Sequence, residues 1–209
     1  EQEIRTFARE LIDAFAETGS CDFVAQFAKE FPIKVFLRLM GLPVEMAPQF
    51  LAWEHGLINA GSVAEIRESV ASVVDYLNNA IDERRESPRE DLISAGIAAE
   101  IRGRKMTADE LLGYCFTLYS GGLDTVASHR GHIFRPLAEH PADQERLRDD
   151  PSLAPEAAAE LRPSFSSAPF PRRCIKSRTI RGVQIHEGDR VAIALPLASR
   201  DPLAYDRPN

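Results

Sequence analysis

The chain is short of cysteine, of basic residues and of long apolar runs, and each shortage narrows what it can be. Its three cysteines in 209 residues, Cys21, Cys115 and Cys174, are far apart and odd in number. They show no disulfide framework and no zinc spacing, and they read as buried or reduced thiols. No apolar stretch approaches the ~18 residues that a bilayer span needs. The N-terminus is charged and amphipathic rather than a secretory signal. The expectation is a soluble chain of the cytoplasm with no membrane partner. Lys and Arg total 25 against 32 Asp and Glu, for a net charge of −7. A basic surface for nucleic acid is therefore not expected. No Walker loop, GxGxxG turn or nucleophile elbow occurs. His129 and His132 stand at i, i+3 with His140 beyond, but no acid or cysteine completes a ligand set, so no protein metal site is read there.

What is present is an ordinary globular composition, 44% hydrophobic and 27% charged. Ile4, Phe7, Ala8, Leu11, Ile12 and Phe15 recur with helical spacing. Pro32 opens a second helix through Met40, stopped by Gly41–Leu42–Pro43. A third runs from about Glu45 to Ile58 and carries Trp53 as a core residue. Ser62 and Glu65 form a capping-box pattern before a long helix with Ile66, Val70, Val73, Val74, Leu77 and Ile81 on one stripe. Its charged end, Asp82–Asp91, reads as solvated. A short helix over 92–98 and a turn or hairpin in "EIRGRKM" follow. Thr107 and Glu110 cap a helix that the pattern carries to Glu139, about 50 Å long. Two shorter helices come next, and residues 179–195 alternate like a β-hairpin turning at Glu187–Asp189. The fold class is mainly α, with residues 1–163 helical and 164–209 a loop and hairpin part of a single, partial domain. Glu1 starts inside a helical pattern and Asn209 ends in a loop, which points to a piece of a longer domain.

The segment "LYSGGLDTVASH", Leu118–His129, is odd for a helix interior. Two glycines there cost about 2 kcal/mol against alanine. Glycine is favoured when something flat or bulky lies against the backbone. Thr125 stands four residues after Gly121 and is placed to bond its carbonyl and widen the turn. Asp124 and Thr125 set an acid beside a hydroxyl, a pair that can hold water and pass protons. The same glycines would equally serve a close helix crossing, and that alternative leads to a non-enzymatic helical module that binds a ligand or partner without haem.

"GGLDTV" (121–126) within a long helix resembles the distal helix of the cytochrome P-450 family, the haem-thiolate monooxygenases. "FPIKVFLRLMGLP" (31–43), "LAEHPADQERLRDDPSLAPEA" (137–157) and "IRGVQIHEGDRVAI" (180–193) follow that family's order, most like the soluble bacterial camphor-hydroxylase type. The resemblance spans the chain but only the middle of the family's fold. It implies a haem cofactor and insertion of one atom of dioxygen into a C–H bond of a small apolar substrate. It also implies electrons from NAD(P)H through a ferredoxin-type donor. Gly121 and Gly122 would let the helix lie on the haem face. Asp124 and Thr125 would deliver protons to the dioxygen, and Thr117, Ser120, Ala168 and Phe170 would face the substrate. Arg172 would pair with a haem propionate, as a guanidinium does with carboxylates.

Three residues depart from that pattern. Glu160 matches the Glu of the family's Glu-x-x-Arg motif, yet Pro163 stands where the arginine belongs and Arg162 is one residue early. Pro163 should end its helix early, and Pro136 should kink or break the long one. Arg130 falls close to the apolar face. None of the three cysteines matches the axial haem ligand, which the resemblance places beyond Asn209.

Overall fold

Helical periodicity organises most of the polypeptide, and short strand pairs appear only where the turns demand them. The structure, a computed structural model, describes residues 2–164, 170–198 and 200–205. Contacts divide the chain into two units, 1–128 and 129–209. The fold is mainly α.

The first unit begins with α1 (Gln2–Ala16), a single π-helical turn (Val24–Ala28) and α2 (Glu30–Leu39). Pro32 sits in the first turn of α2, where its missing N–H costs nothing. A 3₁₀ turn leads into α3 (Ala47–Ile58), followed by α4 (Val63–Glu86) and α5 (Leu92–Ala98). Strands β1 (Glu100–Ile101) and β2 (Arg104–Lys105) pair antiparallel, so "EIRGRKM" is a hairpin. Next comes α6 (Ala108–Gly122), then α7 (Asp124–Glu139), which runs across the boundary between the units.

The main core gathers Ile33, Leu37 and Met40 of α2, Phe50 of α3, Val73 and Leu77 of α4, Ile93 of α5 and the inner stripe of α6. Phe50 is its aromatic centre, with ring centroids 5.0 Å from Trp53, 5.2 Å from Tyr76 and 5.5 Å from Tyr119. Trp53 packs at the edge of this cluster rather than deep inside it. A smaller cluster of Leu11, Phe27 and Phe31 holds α1, while Ile4 and Ile12 of the same helix remain exposed.

The capping boxes differ. At α6 both reciprocal bonds form between Thr107 and Glu110. At α4 the Ser62 hydroxyl accepts from the Glu65 N–H, but the Glu65 carboxylate reaches back to Gly61 instead of Ser62. The predicted box is thus shifted by one residue on one side.

The charged run at the end of α4 is not simply solvated. Arg84 is 1% exposed. Its Nε donates to Asp91 at 2.6 Å and its Nη2 to the Gly41 carbonyl at 2.6 Å. Glu83 lies 3.0 Å from Nη1. Asp91 in turn caps α5 by accepting from the Ser94 N–H at 2.7 Å. Gly41, at φ +66°, lies directly against Asp91, and a Cβ there would strike the carboxylate. A glycine is required twice over at this stop, for its backbone angle and for the space.

The second unit contains the rest of α7, then α8 (Pro141–Asp149), α9 (Ala154–Ser164) and α10 (Leu195–Ala198). Pro136 does not break α7, which stays helical to Glu139. Pro163 does not end α9 early either. The helix runs on to Ser164, one residue past it. Strands β3 (Phe170–Arg173), β4 (Arg178–Ile180), β5 (Val183–Ile185) and β6 (Arg190–Ile193) complete it. The predicted hairpin forms with a different turn. β4 pairs with β5 through Arg181 (φ 48°) and Gly182 (φ 82°), the left-handed pair that a two-residue hairpin loop needs. The turn at Glu187–Asp189 instead sends β6 away to pair with β3.

Candidate functional site

The long helix predicted from Thr107 to Glu139 is two helices. Leu123 (φ −102°, ψ −81°) interrupts it between α6 and α7. Its carbonyl accepts from the Ala127 N–H at 2.9 Å and starts the second helix. The break follows directly after the glycine pair, whose small helical preference makes this the least costly place to interrupt the ladder.

On α6 the two faces separate cleanly. Leu111, Cys115, Tyr119 and Leu123, four residues apart, are all buried. Gly113, Thr117, Ser120, Gly121, Asp124 and Thr125 are exposed, and Gly122 is half-buried. A Cβ on Gly121 or Gly122 would meet nothing within 4 Å among the described residues. Among the described residues nothing packs against either glycine, and the open backbone lies beside Asp124 and the Ser120 and Thr125 hydroxyls.

Thr125 does not make the expected bond to the Gly121 carbonyl, because the helix is interrupted between them and the i−4 geometry is lost. That back-bond is made one face-repeat earlier, from the Thr117 hydroxyl to Gly113 at 2.7 Å. The Tyr119 hydroxyl donates to the Phe50 carbonyl at 3.0 Å and ties α6 to α3. Burial pushes its phenol well above the ordinary tyrosine range.

One residue near the break escaped the reading of the sequence. Glu54, one turn after Phe50 on α3, is half-buried. Burial, reinforced by the negative charge of Asp124, raises its pKa to about 7, and the Asp124 N–H and Lys29 only partly offset this. A Glu on a helix with no partner in sequence gives no signal by itself. Only the packing of α3 on α6 brings it to Asp124.

Cys115 offers no thiolate. Burial pushes the Cys115 thiol up to about 11. Cys174 donates to the Lys176 carbonyl at 3.0 Å, and Cys21 is exposed. Arg130 is half-buried, and burial lowers its pKa from the ordinary arginine value. Among the described residues no group of three or more His, Cys, Asp and Glu is placed to hold a metal ion.

The other predicted residues belong to the second unit. Arg172 is on β3 opposite Val191, and its neighbour Arg173 is opposite Arg190. With Pro171 and Gly188 these arginines line a shallow basic recess of about 570 Å³. Phe170 begins β3 and pairs with Ile193. Ala168 lies outside the described residues. Glu160 is exposed on α9 and borders a cleft of about 340 Å³ with Arg146 and Leu153.

An interrupted helix presenting glycines, an acid and a hydroxyl on one open face leads directly to a family. Residues 46–152 match the family model described as Cytochrome P450, and the chain belongs to that family. It is similar to the probable cytochrome P450 127A1 of Sinorhizobium fredii, with 35% identity covering 100% of this chain and 50% of the relative. The mycinamicin IV hydroxylase/epoxidase of Micromonospora griseorubida is 31% identical, over 96% of this chain and 52% of its own length. Among solved structures, that of CYP101J2 superposes with a TM-score of 0.89 at 29% identity, covering 99% of this chain and 52% of that one. The chain spans about half the length of the relatives it matches. Among the described residues no helix is long and apolar enough to cross a membrane.

Proposed function

We propose that the chain forms the distal side of a haem-thiolate monooxygenase, an oxidoreductase that hydroxylates a small apolar substrate with dioxygen. The open backbone at Gly121 and Gly122, next to the break at Leu123, carries this reading. The haem, when bound, supplies the chemistry that puts one oxygen atom into a C–H bond and the other into water.

The chain's own residues do the rest. Gly121 and Gly122 let the macrocycle approach the backbone. Asp124, the first residue of α7, and the Thr125 hydroxyl hold water and pass protons inward. Thr117 and Ser120, on the same exposed stripe, face the substrate. Arg172 offers a guanidinium for a propionate. Electrons come from NAD(P)H through a ferredoxin-type donor, and the protein works in the cytoplasm. The axial cysteine is supplied by none of Cys21, Cys115 and Cys174.

Two measurements on the intact protein test this. Reduced and exposed to carbon monoxide, the haem-loaded protein is expected to show the red-shifted Soret band of thiolate ligation; a spectrum without it removes the reading. Thr125→Ala is expected to raise the fraction of electrons lost to peroxide by about an order of magnitude, and unchanged coupling would count against Asp124 and Thr125 as the proton path.

A further inference from the structure

We propose that the substrate is an apolar molecule bearing one hydrogen-bond-accepting oxygen, a carbonyl or an ether, which the Ser120 hydroxyl holds while Thr117 meets the hydrocarbon with its methyl group. This rests on the reading of the exposed α6 face as the substrate side.

The two hydroxyls on that face are in different states. Thr117 Oγ1 donates to the Gly113 carbonyl, four residues back, at 2.7 Å. A hydroxyl has a single proton, so this bond occupies the only donor that Thr117 has. It also turns the oxygen against the helix ladder, in a rotamer that threonine adopts in helices for this bond. Thr117 is exposed, and its γ-methyl is the group left to the open face. One turn earlier Gly113 is exposed too, and a Cβ there would meet nothing within 4 Å among the described residues. That end of the face is methyl and bare backbone.

Ser120 is exposed beside the open backbone of Gly121, and among the described residues no hydrogen bond holds its hydroxyl. Covering it with hydrocarbon alone strips that hydroxyl of water and leaves the donor unpaired, whereas an acceptor oxygen replaces the lost bond. Thr117 is covered without this loss, because its donor stays on Gly113. Asp124 and Thr125 stand past the break, on α7, in the proton path. Residues three apart on a helix have Cβ atoms about 5–6 Å from each other. A molecule of one or two rings therefore reaches both Thr117 and Ser120, its oxygen at the serine and its hydrocarbon over the threonine.

The probes are 2-adamantanone and adamantane, one cage with and without a carbonyl. Equilibrium dialysis against the intact, haem-loaded protein gives the ratio of their affinities, and the change in that ratio on mutation isolates the bond to the carbonyl. Ser120→Ala is expected to shift the ratio about fivefold against the ketone, and Thr117→Val to leave the ratio unmoved. A ratio unmoved in Ser120→Ala, or moved as far by Thr117→Val, overturns the assignment, as does an intact protein that binds no ketone. In turnover, Ser120→Ala should raise KM for the ketone and spread hydroxylation over more of its carbons. A KM and a product pattern both unchanged in that variant would also overturn it. A protein lacking the thiolate Soret band sinks the underlying reading instead, and the dialysis ratio, read from the amount of probe bound, tells the two failures apart.

Discussion

Arg84–Asp91 and Glu54–Asp124 are both pairs of ionisable side chains in the helical first unit, and they are balanced in opposite ways. Arg84 and Asp91 are each 1% exposed, of opposite sign, and joined at 2.6 Å. Burial works against the Asp91 carboxylate, but the Ser94 N–H and Arg84 outweigh it and hold its pKa below the ordinary value. For Arg84 the same burial is outweighed by Asp91, and its pKa is raised. For Glu54 the compensation is too small to win. Its neighbour is another acid, and burial and repulsion together carry its pKa to about 7. A satisfied pair locks the junction of α2, α4 and α5.

The largest expected effect comes from unbalancing the first pair. Arg84→Ala leaves Asp91 and the Gly41 carbonyl buried without their donor and should cost about 3–5 kcal/mol, seen as a lower urea midpoint for the intact protein. A loss near that of a surface substitution would mean the two pairs are not different in kind. The depressed Asp91 pKa also sets a direction: its stabilisation is present above the ordinary value of 3.8 and is lost as pH falls through the lower folded value.

Relieving the second pair should do the reverse. Glu54 has a raised folded pKa, so between 4.5 and about 7 the folded state binds more protons than the unfolded one. Stability therefore falls as pH rises across that window. Glu54→Gln removes the penalty and should stabilise the protein at pH 8 relative to pH 4.5. The gain is about 1–2 kcal/mol once the shift, at 1.36 kcal/mol per unit, is discounted for solvent access. Parallel unfolding curves at the two pH values check it, and a pH-independent difference would count against the assignment.

The smallest effect separates the open face from the packed one. Gly121→Ala meets no neighbour and should stabilise the haem-free protein by up to about 1 kcal/mol. Haem titration of the same variant should show weaker binding if the bare backbone is there to receive the macrocycle. A variant that is more stable and binds equally well would leave the glycine without that role.

Much of this was legible from local pattern. The stripe of α4 and the Thr107–Glu110 cap depend on residues a few positions apart, and the structure keeps them. The break at Leu123 was not legible, because Gly121, Gly122 and Thr125 also fit a widened turn in a continuous helix. Pro136 and Pro163 each pointed to interruptions that did not occur. The turn at Arg181–Gly182 was passed over for Glu187–Asp189, since both carry glycine and only strand pairing tells them apart. Arg84 looked solvated in a charged run because its partners, Gly41 and Asp91, belong to other segments.

Periodicity, caps and the placement of small residues along one helix were enough to determine a mainly helical chain with an open face on α6. Which charges meet was decided only by tertiary packing. Arg84 finds Gly41 across 43 positions of sequence, and Tyr119 finds the Phe50 carbonyl across 69. Backbone propensity acts between near neighbours, whereas the free energy of a buried charge depends on every group that the fold brings within a few ångströms of it.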